Sequence, residues 1–170
     1  EMVSEAWPVS LSIAAGAFTL WMIIGVGGGM IAAPNKGRLL DRGIVGSALV
    51  GFSLPTFFVG LVLLTFPAIK WGWVPIPNFV PITESPIDWA RNLILPWITL
   101  AFFFAASYVR LTRAYMIETM SEDYIRTARA KGVRQWPIIF RHGLRAALTP
   151  IVTAAGLDLG GLLGGAIITE

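Results

Sequence analysis

An all-α bundle of helices that crosses a membrane several times is the fold class this sequence predicts, and three observations predict it. Of the 170 residues, 55% are apolar and 14% charged, and the mean hydropathy is +0.70. A water-soluble domain keeps about a quarter of its residues charged. The apolar residues form four runs that reach or approach the roughly 20 residues of helix needed to cross a hydrocarbon core about 30 Å thick. Basic residues gather on alternate connections between those runs, as they do in multi-pass membrane proteins. The same composition excludes disorder and a coiled coil, and the absence of cysteine excludes a disulfide scaffold. A pI near 9.7 and a net charge of +3 would point to nucleic acid in a soluble chain. Here the apolar runs take precedence, and no nucleic-acid partner is expected.

The first predicted span covers residues 8–33 and holds no ionisable residue. It is not a secretory leader, because it lacks a basic start and three more spans follow. The second covers 43–66, also uncharged, with Pro55 near its middle. The third covers 93–109 and is expected to continue as helix to about residue 120, through Arg110 and Arg113. The fourth covers 146–169 and is interrupted by Asp158 alone. Pro55 and Pro150 each remove a helix hydrogen bond and are expected to kink their spans.

Lys36, Arg38 and Arg42 lie on the 35–42 connection, and eight basic residues lie between Arg110 and Arg145. Eleven of the 13 basic residues therefore fall on two alternate loops, which should be cytoplasmic. Lys70 and Arg91 share the remaining loop with Glu84 and Asp88. That loop should be external, and its Trp71, Trp73 and Trp89 suit an interfacial segment. Both ends then lie outside. The chain opens at Glu1 rather than at a start methionine, and stops at Glu170 directly after a span. A fragment of a longer membrane protein, lacking at least one span on each side, is the expectation.

Within the fourth span, Gly156, Gly160 and Gly164 recur every four residues on one face. In lipid, helices associate through close backbone approach, and small residues permit it. Gly25 and Gly29 repeat the arrangement in the first span. The sequence leaves packing inside one subunit and packing between subunits equally open. Asp158 is the one acid inside a span, where an unpaired carboxylate costs several kcal/mol. It either lines a translocation pathway or hydrogen-bonds a neighbouring helix.

The 121–145 segment carries the sharpest local signals. Ser121 is a candidate helix cap, with Glu122 and Asp123 placed to complement the helix dipole. Tyr124-Ile125-Arg126-Thr127-Ala128-Arg129-Ala130-Lys131-Gly132 follows, with a glycine suited to end the helix and Arg129 and Lys131 in its last turn. Tyr124, Ile125 and Ala128 share a face, while Arg126, Arg129 and Lys131 project more to solvent. A second short helix is expected to start near Pro137 and lead through His142 and Leu144 into the fourth span. Two short helices on a bent connector form a docking element; a basic segment held by anionic lipid is the plainer reading.

This segment resembles the loop with a Glu-Ala-Ala motif found in the membrane subunits of binding-protein-dependent ABC importers. Aligned on Gly132, that pattern is met at Ala128, Gly132 and Leu144, whereas Arg126 and Arg145 stand where it has Glu and Pro. The stretch from Asp123 to Gly132 and the run Arg141-His142-Gly143-Leu144-Arg145 through Pro150 are closer to the variant in dipeptide, oligopeptide and nickel permeases. So are Ser53-Leu54-Pro55-Thr56-Phe57, Ile94-Leu95-Pro96-Trp97 and Gly160-Gly161-Leu162-Leu163-Gly164-Gly165. The resemblance implies the type I importer permease fold, with four of six spans present and a cytoplasmic coupling helix. It implies docking of an ATPase subunit by Tyr124, Arg126, Thr127, Ala128, Arg129, Ala130, Lys131 and Gly132. It further implies a second, homologous permease subunit, two cytoplasmic ATPase subunits carrying ATP and Mg, an extracytoplasmic binding protein, and location in a bacterial or archaeal cell membrane. The cargo it implies is a peptide, with glutathione-like compounds and nickel chelates also handled by the family.

No Gly-x-x-x-x-Gly-Lys-Ser/Thr loop occurs, so nucleotide, and the catalysis that uses it, are expected on separate subunits. His142 is the single histidine and has no cysteine partner, which leaves no nucleophile relay and no metal cluster. An ion- or proton-coupled secondary transporter using Asp158 is the alternative. Against it stand the lack of further intramembrane acids and the presence of the docking segment.

Overall fold

The computed structural model describes residues 2–169, with side chains from 7 to 164. Seven helices follow in order: α1 (Met2–Ala32), α2 (Leu39–Ser53), α3 (Thr56–Leu63), α4 (Pro86–Met120), α5 (Asp123–Ala130), the short α6 (Gln135–Pro137) and α7 (Arg145–Thr169). Wide helical turns extend α3 over Leu64–Lys70 and join α6 to α7 over Ile138–Leu144. Three helical runs are long and apolar enough to cross a membrane: Trp7–Asn35, Pro86–Met120 and Gln135–Gly164. The chain is a multi-pass membrane protein built from helices, and no strand occurs among the described residues.

At about 1.5 Å per residue, the 35 residues of α4 extend roughly 52 Å, well beyond a hydrocarbon core of about 30 Å. Its start is set by Ser85, whose Oγ accepts from the Asp88 amide (3.3 Å) and donates to the Asp88 carboxylate (2.8 Å). Pro86 follows in the first helical turn, where its missing N–H costs nothing. The far end carries Arg110, Arg113 and Glu118 clear of the apolar stretch.

The expected second span differs from a kinked helix. α2 and the run Thr56–Lys70 are bent by 97° at Leu54 and Pro55, both of which are extended. Proline cannot donate to the preceding turn and also pushes the residue before it out of helical geometry. Two consecutive non-helical residues give a corner where one would give a kink. Pro150, by contrast, sits inside α7 without ending it.

α1 lies along α4, and the core is their interface with α7 closing one side. Ala17, Trp21, Ala101, Ala105, Tyr108, Met116, Ala147 and Ile151 are buried there. The Trp21 ring stacks on Phe104 at 4.4 Å and meets Phe18 edge-on at 5.1 Å. Trp97 Nε1 donates to the Ser12 carbonyl (3.0 Å), and its indole occupies the space above Gly16. α2 is held to α4 through Gly51 against Phe102 and through the Arg110 guanidinium over the Phe52 ring, 5.4 Å from its centre.

Candidate functional site: the exposed helix and its supports

α5 is short and apolar on one side only. Ile125 is fully buried, whereas Tyr124, Arg126, Thr127, Arg129, Ala130, Lys131 and Gly132 are exposed and Ala128 is half-buried. The helix rests on the Ile138–Leu144 turns. Glu122, in extended geometry, takes the N-cap position without a side-chain cap. Ser121 therefore does not cap α5, as had been expected from sequence. α4 continues to Met120, which leaves Ser121 in helical geometry as the C-cap of α4, and its hydroxyl donates to the Glu118 carbonyl (2.6 Å).

The other end of α5 is closed by backbone bonds. The Val133 amide donates to Ala128 O (3.2 Å) and the Gly132 amide to Arg129 O (2.9 Å). This is the Schellman arrangement, and it requires a left-handed residue one past the cap. Gly132 has φ +77°. A side chain in that region costs about 1–2 kcal/mol. Gly132→Ala is therefore expected to lower the local stability of α5 by about 1 kcal/mol. Faster amide exchange at Gly132 and Val133 would check this, with α1 and α4 unchanged.

The Arg141-His142-Gly143-Leu144 run supplies the support beneath α5. Gly143 is buried where the connector crosses the end of α4, and a β-carbon there would lie 3.1 Å from Met120 Sδ and 3.3 Å from Met116 Cε. The connector is thus seated on two adaptable methionines. The helix expected near Pro137 exists, but it is the beginning of one helical run that reaches Gly164. Tyr124 stands between two recesses. One, of about 350 Å³, includes Glu118 and Glu122; the other, of about 290 Å³, includes Arg141, His142 and Arg145. Tyr124 therefore departs from the common face drawn with Ile125 and Ala128. The ion pair between Arg126 and Asp123 (3.4 Å) is exposed on both sides and contributes little.

Two pairs tie the bundle together: one that sequence reasoning missed, and one that gives Asp158 the neighbouring-helix partner left unnamed by the sequence. Asp41, at the third residue of α2, is buried and accepts from Arg113 Nε (2.6 Å) and Nη2 (2.8 Å). The same carboxylate accepts from the Gly37 amide (2.8 Å), where φ is +82°. The turn after α1 is thereby locked to the part of α4 that leads to α5. A signal was present, since Asp41 is the one acid among three bases in its loop, but nothing local names its partner. The second pair is Tyr108 and Asp158: the phenol donates to Asp158 Oδ2 at 2.6 Å, joining α4 to α7.

The two glycine sets separate. Gly25 faces the Tyr108 Cβ so closely that no side chain fits, and Gly29 is pressed on the α4 backbone. Among the described residues, the helix's own backbone aside, no atom lies within 4 Å of a β-carbon placed at Gly156, Gly160 or Gly164. Among the described residues, no three His, Asp or Glu side chains are gathered as metal ligands.

The sequence profile of binding-protein-dependent transport system inner membrane components matches residues 25–170. Over all of its length the chain is 36% identical to a peptide transport system permease protein of Brucella abortus, covering 54% of that protein. It is 35% identical to the di/tripeptide transport system permease protein of Pseudomonas aeruginosa, over 96% of this chain and 55% of that one. It is 38% identical to the dipeptide transport system permease protein of Escherichia coli, over 86% and 50% respectively. The chain spans about half the length of the curated relatives it matches.

Proposed function

Since the chain belongs to the family of binding-protein-dependent transport system inner membrane components, we propose that it is part of a permease subunit that carries peptides or related small solutes across the cell membrane. Hydrolysis of ATP with Mg on two separate cytoplasmic subunits drives it, this subunit itself being non-catalytic. A second permease subunit completes the pathway, and an extracytoplasmic protein delivers the cargo. The names of the relatives support peptides as the cargo class. The distribution of Lys and Arg supports a cytoplasmic position for the 35–42 and 121–145 segments.

The observation that carries this reading is the state of α5. It shows nearly all of its surface, yet it is anchored by Ile125 below, ended by Gly132, and joined through Gly143 to the end of α4. A rigid lever of this kind transmits a push from a docked subunit into α4 and α7 as a rigid-body displacement. Because the chain has no cysteine, Ala130→Cys gives a single reactive site on α5. In the assembled complex it is expected to crosslink to an ATPase subunit, with a yield that changes on adding nucleotide. Absence of any crosslink from an intact, active complex would refute the docking role.

The Tyr108 hydrogen bond supports a structural part for Asp158. Asp158→Asn keeps an acceptor for the phenol and is expected to leave both transport and stability near the parent. Tyr108→Phe removes the donor from the carboxylate and is expected to cost about 1–3 kcal/mol in an unfolding titration. Transport lost in a fully stable Asp158→Asn protein would instead make Asp158 a pathway residue.

A further inference from the structure

A cavity of about 350 Å³ opens where α1 ends and the last helical run begins. No residue of α5 lines it. Its lining includes the apolar Met30 and Ile31, the polar Asn35, Arg38 and Gln135, and Trp136. Its size falls among small-molecule sites, about 300–1,000 Å³.

The surroundings select the ligand. Arg38 in the lining is exposed, as are Lys36 on the same turn and Arg42 in the first helical turn of α2. The one acid among them, Asp41, is already taken by Arg113 and the Gly37 amide. Among the described residues, Arg38 joins no ion pair. Next to it Leu39 and Leu40 are 85% and 51% exposed, so apolar side chains flank the free cations. Across the opening, Trp136 is 68% exposed and stacked on Phe140 at 5.5 Å. An exposed tryptophan stacked on an apolar ring suits the headgroup level of a bilayer.

We infer that this cavity binds an anionic phospholipid, with the phosphate at Arg38, Asn35 and Gln135 and the upper acyl chain along Met30, Ile31 and Trp136. Clustered cations next to a span attract acidic lipid by about 1 kcal/mol for each Lys or Arg. The lipid joins the turn after α1 to the start of the α6–α7 run, whose Ile138–Leu144 turns support α5. The leaflet concerned rests on the orientation proposed above; the chemistry of the site does not.

The test uses the full-length subunit in phosphatidylcholine vesicles containing brominated phosphatidylglycerol or, separately, brominated phosphatidylcholine. Quenching of Trp136 is taken as the difference between the parent and Trp136→Phe. Phosphatidylglycerol is expected to quench it at lower mole fraction than phosphatidylcholine. Arg38→Gln should raise the half-quenching fraction about fivefold, and Arg38→Lys should largely restore it. Added inorganic phosphate should leave the quenching unchanged. Equal quenching by both lipids overturns the inference, as does no quenching by either, the result of a protein seated over the cavity. So does displacement by inorganic phosphate, or an equal loss in Arg126→Gln, which lies outside the cavity. Orientation is read separately by labelling Ser121→Cys with a membrane-impermeant maleimide, so an inverted topology is told apart from an empty site.

Discussion

Alanine at Gly29 is expected to destabilise the bundle by about 3 kcal/mol, while alanine at Gly160 changes the stability of the same chain by less than about 0.5 kcal/mol. The two substitutions add the same methyl group to the same kind of apolar helix. At Gly29 that carbon would lie 2.5 Å from Thr112 Cβ, 2.7 Å from the Val109 carbonyl oxygen and 2.8 Å from the Arg113 amide nitrogen. Two of these are backbone atoms of α4, which no rotamer change can move aside. The helices must part, and the separation reaches Gly25 and Trp21 on the same face. At Gly160 nothing among the described residues lies close enough to be disturbed. Unfolding of the purified subunit in mixed detergent measures both. The helix-packing role proposed for Gly156, Gly160 and Gly164 is checked by recovery of the assembled complex. A loss there, with intact subunit stability, places their contacts between subunits.

Removing Arg113 is the second large effect. Arg113→Ala leaves Asp41, whose side chain is 5% exposed, with the Gly37 amide as its one remaining partner. Breaking a buried pair from one side costs about 3–5 kcal/mol, because a charge is left without compensation. The Arg113 side chain is 26% exposed, so the lower end, about 3 kcal/mol, is expected here. Asp41→Asn with Arg113→Gln should recover part of that loss, since neither residue is then charged. The same titration reads both variants. If the single and double changes cost the same, the carboxylate is not the source of the effect. Transport should fall further than stability in Arg113→Ala, because the residue sits on the arm of α4 that leads to α5.

Much of this architecture is legible in the residues taken in order. The apolar run at 8–33 lies within α1 but for its last residue, the run at 93–109 with its continuation lies within α4, and the run at 146–169 lies within α7. Gly132 announces the end of α5, because only the residue in the left-handed position must lack a side chain. Pro55 announces an interruption, but its size, a 97° corner, depends on Leu54 also leaving the helix. Ser121 caps the end of α4 and not the start of α5, since a serine between two helices suits either place. Its assignment follows from how far α4 persists, which no local signal marks.

Helical segments and the loops that carry the positive charge were determined by sequence alone. Backbone hydrogen bonding in lipid and the placement of Lys and Arg act residue by residue along the chain. Partners were decided by the tertiary structure. Tyr108 and Asp158 are 50 residues apart, and Asp41 and Arg113 are 72 apart. Their pairing exists because α1, α2 and α7 lie at particular registers along α4. The same holds for the two glycine stripes, alike in sequence, of which one is closed against α4 and the other open. Spacing makes a smooth helix face. Only the packing of the bundle decides which face is covered.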